Sequence, residues 1–136
     1  MPNRSKAQIL IVDDDPTVRT TLGMFLMAAG YEVAFEDDGA TAVAHLGKAV
    51  PDLLVTDLNM PIMSGVELIS HMRTLHPKVP IVAMSGDYLG EAVPAGIIAD
   101  RFYPKGQNLQ HLLTTIASLI ATGPASGIVN ETRTRP

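Results

Sequence analysis

Apolar residues in this chain collect in five short runs, and the stretches between them carry apolar positions at helical spacing. The runs lie at residues 8–12, 31–35, 53–55, 81–84 and 101–103. Those at 9–12, 53–55 and 81–84 are unbroken, the pattern of strands buried on both faces. In the second run Tyr31, Val33 and Phe35 alternate with Glu32, Ala34 and Glu36, which predicts another strand. Pro16 opens the first helix, with Asp15 as N-cap and Gly30 as C-cap, and Val18, Leu22, Phe25, Leu26 and Ala29 recur at its spacing. A weaker helix runs to about residue 48 and turns Val43 and Leu46 inward. Ser64 and Glu67 form a capping-box pair ahead of Val66, Ile69, Met72 and Leu75, so a third helix starts there. Gly90, Pro94 and Gly96 interrupt residues 89–98, which predicts a fourth helix that is short, mobile or broken. Leu109, Leu112, Leu113, Ile116, Leu119 and Ile120 make the cleanest stripe and predict the fifth.

Five strands alternating with five helices imply an α/β fold, a parallel sheet covered on both faces. Right-handed crossovers then give a flavodoxin-like, doubly wound five-stranded sheet of order 2-1-3-4-5, with a crevice between strands 1 and 3. Residues 8–122 form one domain between an N-terminal tail, 1–7, and a flexible C-terminal tail, 123–136, where the periodicity is lost. A chain of 136 residues with 46% hydrophobic and 18% charged content supports one compact core. The net charge of −4 and the lack of any basic run point away from nucleic acid and anionic lipid. The chain has no cysteine, which excludes disulfides and thiolate chemistry. No apolar run reaches membrane-spanning length and residues 1–7 carry no signal-peptide core, so a cytoplasmic domain without a membrane partner is expected.

The ends of the expected strands carry the chemistry. Strand 1 runs into Asp13, Asp14 and Asp15, strand 3 into Asp57, strand 4 into Ser85, and Lys105 follows strand 5. Singly, each has a bland reading as a turn residue, a helix cap or a solvated charge. Together they share one rim of the sheet, where clustered carboxylates repel and require a cation or a raised pKa. All-oxygen ligands favour a hard ion such as Mg²⁺. A carboxylate nucleophile, a metal, a lysine and a hydroxyl are the parts of phosphoryl transfer onto aspartate.

These residues, in the segments ILIVDDDP, TDLNMPIMSG, MSG and FYPKG, make the chain resemble the response-regulator receiver domains (CheY-like) of two-component signal transduction, from about residue 8 to 121. The resemblance implies that Asp57 is the phosphoacceptor. It implies a Mg²⁺ site in which Asp14 and Asp57 bind the ion, Asp13 acts through water and the Asn59 carbonyl completes the set. It further implies that Ser85 and Lys105 contact the phosphoryl group, with Asp57 the catalytic residues, and that Ser85 and Phe102 are the switch pair. The expected partners are a sensor histidine kinase or histidine phosphotransfer protein upstream and an effector protein or domain downstream. Such a domain is no enzyme toward external substrates and catalyses only its own phosphorylation and dephosphorylation.

The competing reading is a Mg²⁺-dependent phosphatase with an aspartate nucleophile. That chemistry needs a general acid near the nucleophile, and two residues after Asp57 stands Asn59, which has no proton to give a leaving group. The chain departs from the receiver pattern at residues 104–106, where proline precedes the lysine and Gly106 follows it. A cis peptide without proline costs about 3 kcal/mol, which predicts a trans Lys105–Gly106 bond. Positive φ at Gly106 then supplies the turn that brings Lys105 over the pocket, within salt-bridge reach of Asp57.

Overall fold

A computed structural model describes residues 6–60, 63–86 and 99–122. Strands β1 (Gln8–Val12), β2 (Glu32–Glu36), β3 (Leu53–Asp57), β4 (Ile81–Ser85) and β5 (Arg101–Pro104) form one sheet of order β2-β1-β3-β4-β5. All four neighbouring pairs are parallel. Helices α1 (Pro16–Ala28), α2 (Gly39–Leu46), α3 (Gly65–Leu75) and α4 (Leu109–Thr122) cover it. The topology is the one expected. The helix expected at 89–98 and the tail at 123–136 lie outside the described residues.

Because successive strand residues point to opposite faces, the sheet sorts its side chains into two cores. Ile9, Ile11, Leu53, Val55, Val82 and Met84 face α1 and α4 and meet Leu22, Leu26, Leu112, Ile116 and Leu119. Leu10, Val12, Leu54, Ile81 and Ala83 face α2 and α3 and meet Ala42, Leu46, Leu68, Ile69 and Met72. The strands β3 and β4 are buried along their whole length, which accounts for their continuous apolar runs. At the edge, β2 leaves Phe35 39% exposed, its ring lying against Gly23 of α1 where no Cβ intrudes.

Local signals set the element ends. The Asp15 side chain accepts from Thr17 N at 2.9 Å and caps α1. Ala29 closes that helix, and Gly30, one residue beyond, takes φ +102°. The capping box at α3 is complete: Glu67 N donates to Ser64 Oγ at 3.2 Å and Ser64 N to Glu67 Oε1 at 3.1 Å. The weaker second helix ends at Leu46, about two residues short of its expected end. Among the described residues no helix is long and apolar enough to cross a membrane.

Candidate functional site

The loop exits of β1, β3, β4 and β5 open on the same rim, so residues far apart in sequence become neighbours there. Asp13 continues β1 by one residue, its N–H donating to Glu36 O at 3.2 Å. Its carboxylate is fully buried, and Oδ1 accepts from Asp15 N at 2.9 Å as the chain turns into α1. Asp57 ends β3 and is 3% exposed, whereas Asp14 is exposed at the mouth. One carboxylate oxygen from each of Asp13, Asp14 and Asp57 lies within 4.8 Å of the others.

Lys105 supplies the opposing charge. Its Nζ stands 2.8 Å from Asp13 Oδ2 and 3.3 Å from Asp57 Oδ2, and apart from that ion pair Asp13 Oδ2 has no hydrogen-bond partner. The backbone aims the side chain. Lys105 N donates to Ser85 O at 3.1 Å, and Gly106 turns the chain at φ +84° with no cis peptide bond among the described residues. Both backbone expectations for this departure from the receiver pattern hold, as does the reach of Lys105 to Asp57.

Of the other expected site residues, Ser85 and Asn59 stand at the rim, whereas Phe102 lies back in the core. Ser85 is fully buried at the end of β4, and its Oγ accepts from Asn59 Nδ2 at 3.3 Å. Asn59 also donates its backbone N–H to Asp57 Oδ1 at 3.3 Å. Phe102 is half-buried on β5, paired in register with Ala83, and packs against the core on the α3 side. Gly65 packs so closely against the end of β3 that a Cβ on it would meet Leu58 Cα at 2.7 Å and the Asp57 carbonyl closer still. Only glycine fits there.

Electrostatics set these groups against one another. Burial raises the Asp57 pKa above its ordinary value and the Asp13 charge raises it further, while Lys105 and the Asn59 N–H offset part of that. Burial works to lower the Lys105 pKa, but its hydrogen bond with Asp13 and the charges of Asp57 and Asp13 outweigh it, so the pKa is raised. The rim therefore holds more negative than positive charge, on oxygen atoms alone. That donor set fits a hard divalent cation such as Mg²⁺, which binds one or two carboxylates and keeps several waters.

Two contacts had no counterpart among the expectations. Arg19 of α1 donates from Nη1 to the Asp13 carbonyl at 2.6 Å, and the Asn59 side chain reaches Ser85. A cation one turn into a helix that follows a strand-end acid pair is the signal that marks the first.

Comparison with known proteins agrees with this geometry. The description "Response regulator receiver domain" matches residues 9–117. The response regulator MprA of Mycobacterium leprae is 36% identical over 116 residues, covering 83% of this chain and 50% of that protein. The DNA-binding transcriptional regulator NtrC of Bradyrhizobium sp. (strain RP501 Parasponia) is 30% identical over 115 residues, covering 83% and 24%. The chain thus spans half or less of these relatives' length, and the second relative's name gives no support to the expectation that nucleic acid plays no part. Among solved structures, the response regulator TrrA of Thermotoga maritima, in complex with Mg²⁺ and BeF, superposes with a TM-score of 0.77 at 27% identity, covering 83% of this chain and 98% of that one. With this topology, this rim and a family match over most of its length, the chain belongs to the response regulator receiver domains.

Proposed function

We propose that this chain accepts a phosphoryl group on Asp57 from a phosphohistidine of a sensor histidine kinase or a histidine phosphotransfer protein. The observation that carries the reading is the single ammonium of Lys105 set between two buried carboxylates, with Asp14 beside them. An Asp57 oxygen attacks phosphorus, the phosphorus–nitrogen bond of the donor breaks, and the electron pair leaves on the imidazole, which takes a proton. Hydrolysis by water later restores the carboxylate and releases phosphate. Lys105 neutralises charge on the transferred group, and the Ser85 hydroxyl is near enough to the rim to donate to it after leaving Asn59. Asp14, Asp57 and the Asn59 carbonyl would hold Mg²⁺, with Asp13 acting through water. The ion, when bound, supplies positive charge to the carboxylates and the phosphoryl oxygens.

The phosphatase reading is not favoured, since the Asn59 side chain is engaged with Ser85 and carries no acidic proton. Turnover is confined to the chain's own phosphorylation and dephosphorylation. The domain at 8–122 acts in the cytoplasm and passes the signal to a downstream effector through Ser85 and Phe102. Intact mass after incubation with a small acyl phosphate tests the reading. The mass of one phosphoryl group should appear only with Mg²⁺ and vanish in Asp57→Asn, and labelling retained by that variant would overturn it.

A further inference from the structure

We infer that Arg19 is a positioning residue for the acid pair, holding the peptide between Asp13 and Asp14 so that both carboxylates face the cation site; this rests on the Mg²⁺ site proposed above. As the chain leaves β1 at Val12 to enter the helix, the Asp13 carbonyl passes beyond the sheet ladder. A carbonyl that leaves a ladder beside a buried acid needs another donor. Side chains of a helix lean toward its N-terminus, so the residue at 19 reaches back over the turn that starts α1. Arg19 does this from a half-buried position, while its own N–H donates to Asp15 O at 3.1 Å. Its guanidinium takes the Asp13 carbonyl at 2.6 Å.

The other fastenings of Asp13 are also described. Its N–H goes to Glu36 O, its Oδ1 to Asp15 N, and its Oδ2 faces Lys105. Arg19 therefore completes the hold on this residue from the carbonyl side, and the carbonyl belongs to the same peptide unit as the Asp14 nitrogen. Rotation of that peptide would swing Asp14, the exposed member of the cluster, away from Asp13 and Asp57. Arg19 also brings a positive charge to the acid cluster without occupying a carboxylate oxygen. The charge-assisted bond makes this a strong fastening.

Partners that orient metal ligands cost about 10–100-fold in metal affinity when removed. Calorimetric titration with Mg²⁺ alone, on the unphosphorylated chain, reads this directly. Arg19→Met, which keeps the apolar stem but no donor, should bind Mg²⁺ about tenfold more weakly. Arg19→Gln, which can still donate to the carbonyl, should recover most of that loss. Wild-type affinity in a folded Arg19→Met variant would overturn the inference, and so would equal losses in the two variants, because the bond to the Asp13 carbonyl would then not be what holds the site. Independently of any variant, the Arg19 guanidinium NMR signals of the unaltered protein should be resolved and should shift as Mg²⁺ is added. Averaged signals indifferent to Mg²⁺ would overturn the inference even where a variant does not fold. An unaltered chain that binds no Mg²⁺ would instead remove the metal site itself, so the two failures are distinct.

Discussion

The two ends of the sheet each bury a charge cluster, and the two are built to opposite ends. At the amino end, Asp100 precedes β5 with its side chain buried, and its Oδ2 accepts from Arg73 Nη2 and from Ile81 N, both at 2.7 Å. Arg73 also reaches the Val79 carbonyl at 3.2 Å, so one ion pair ties α3 to the entries of β4 and β5. Charge is balanced there. At the carboxyl end, Asp13 and Asp57 are buried against a single ammonium, with Asp14 at the mouth. Breaking a balanced buried pair costs stability, because the remaining charge has lost its partner. Removing one acid from an overloaded cluster relieves repulsion instead. The amino end is a fastening, and the carboxyl end is a cluster whose excess negative charge suits a cation.

Substitution separates these roles, and the largest effect belongs to the rim. Asp57→Asn should abolish labelling by an acyl phosphate entirely, by intact mass. Without Mg²⁺ the same variant should melt a few degrees higher, since the acid it replaces is one whose ionisation the fold resists. A lower melting temperature would contradict the overloaded-cluster view. Next in size, Asp100→Ala should lose about 3 kcal/mol in urea unfolding by stranding Arg73 and the Ile81 N–H. Phosphoryl labelling per folded molecule should be unchanged in it, and a loss of labelling would mean that the two ends are coupled.

The rim should also make metal-free stability depend on pH. The folded pKa of Asp57 is raised above its unfolded value, so the stability it contributes is complete below the unfolded pKa and is lost as pH rises through the folded one. Lys105 is raised as well, so its contribution holds at neutral pH and is lost only in alkali. Urea titrations of the metal-free chain should show the decline from acidic toward neutral buffer becoming smaller in Asp57→Asn. An equal slope in both proteins would place the titrating group elsewhere. The smallest effect concerns the turn behind Lys105. A side chain at φ +84° costs about 1 kcal/mol, so Gly106→Ala should be mildly destabilised and slower to label. Unaltered stability would mean that residues 104–106 adopt another turn in solution.

Much of this was legible in the residues, for particular reasons. The unbroken runs at 9–12, 53–55 and 81–84 have one stable use, as central strands of a covered parallel sheet. Asp15, Ser64 and Glu67 announced helix starts because capping is a local hydrogen bond between near neighbours. Asp13, Asp57, Ser85 and Lys105 were legible because strand ends of a doubly wound sheet converge. Asp100 was not, since its partners Arg73 and Ile81 lie 27 and 19 residues away. Nothing local distinguishes it from a solvated loop acid.

By itself, then, the sequence determined much that rests on periodicity and short-range chemistry: the five strands and the four described helices, the order of the strands in the sheet, the N-caps of α1 and α3, and the rim on which the acids and the lysine meet. Tertiary structure alone decided which groups touch there. It placed Lys105 nearer to Asp13 than to Asp57, joined Asn59 to Ser85, and gave the Asp13 carbonyl to Arg19. The physical reason is one of range. Capping and amphipathicity act over a few residues and leave a pattern in the chain, whereas the pairing of buried charges depends on ångström-scale distances that only the packed sheet defines.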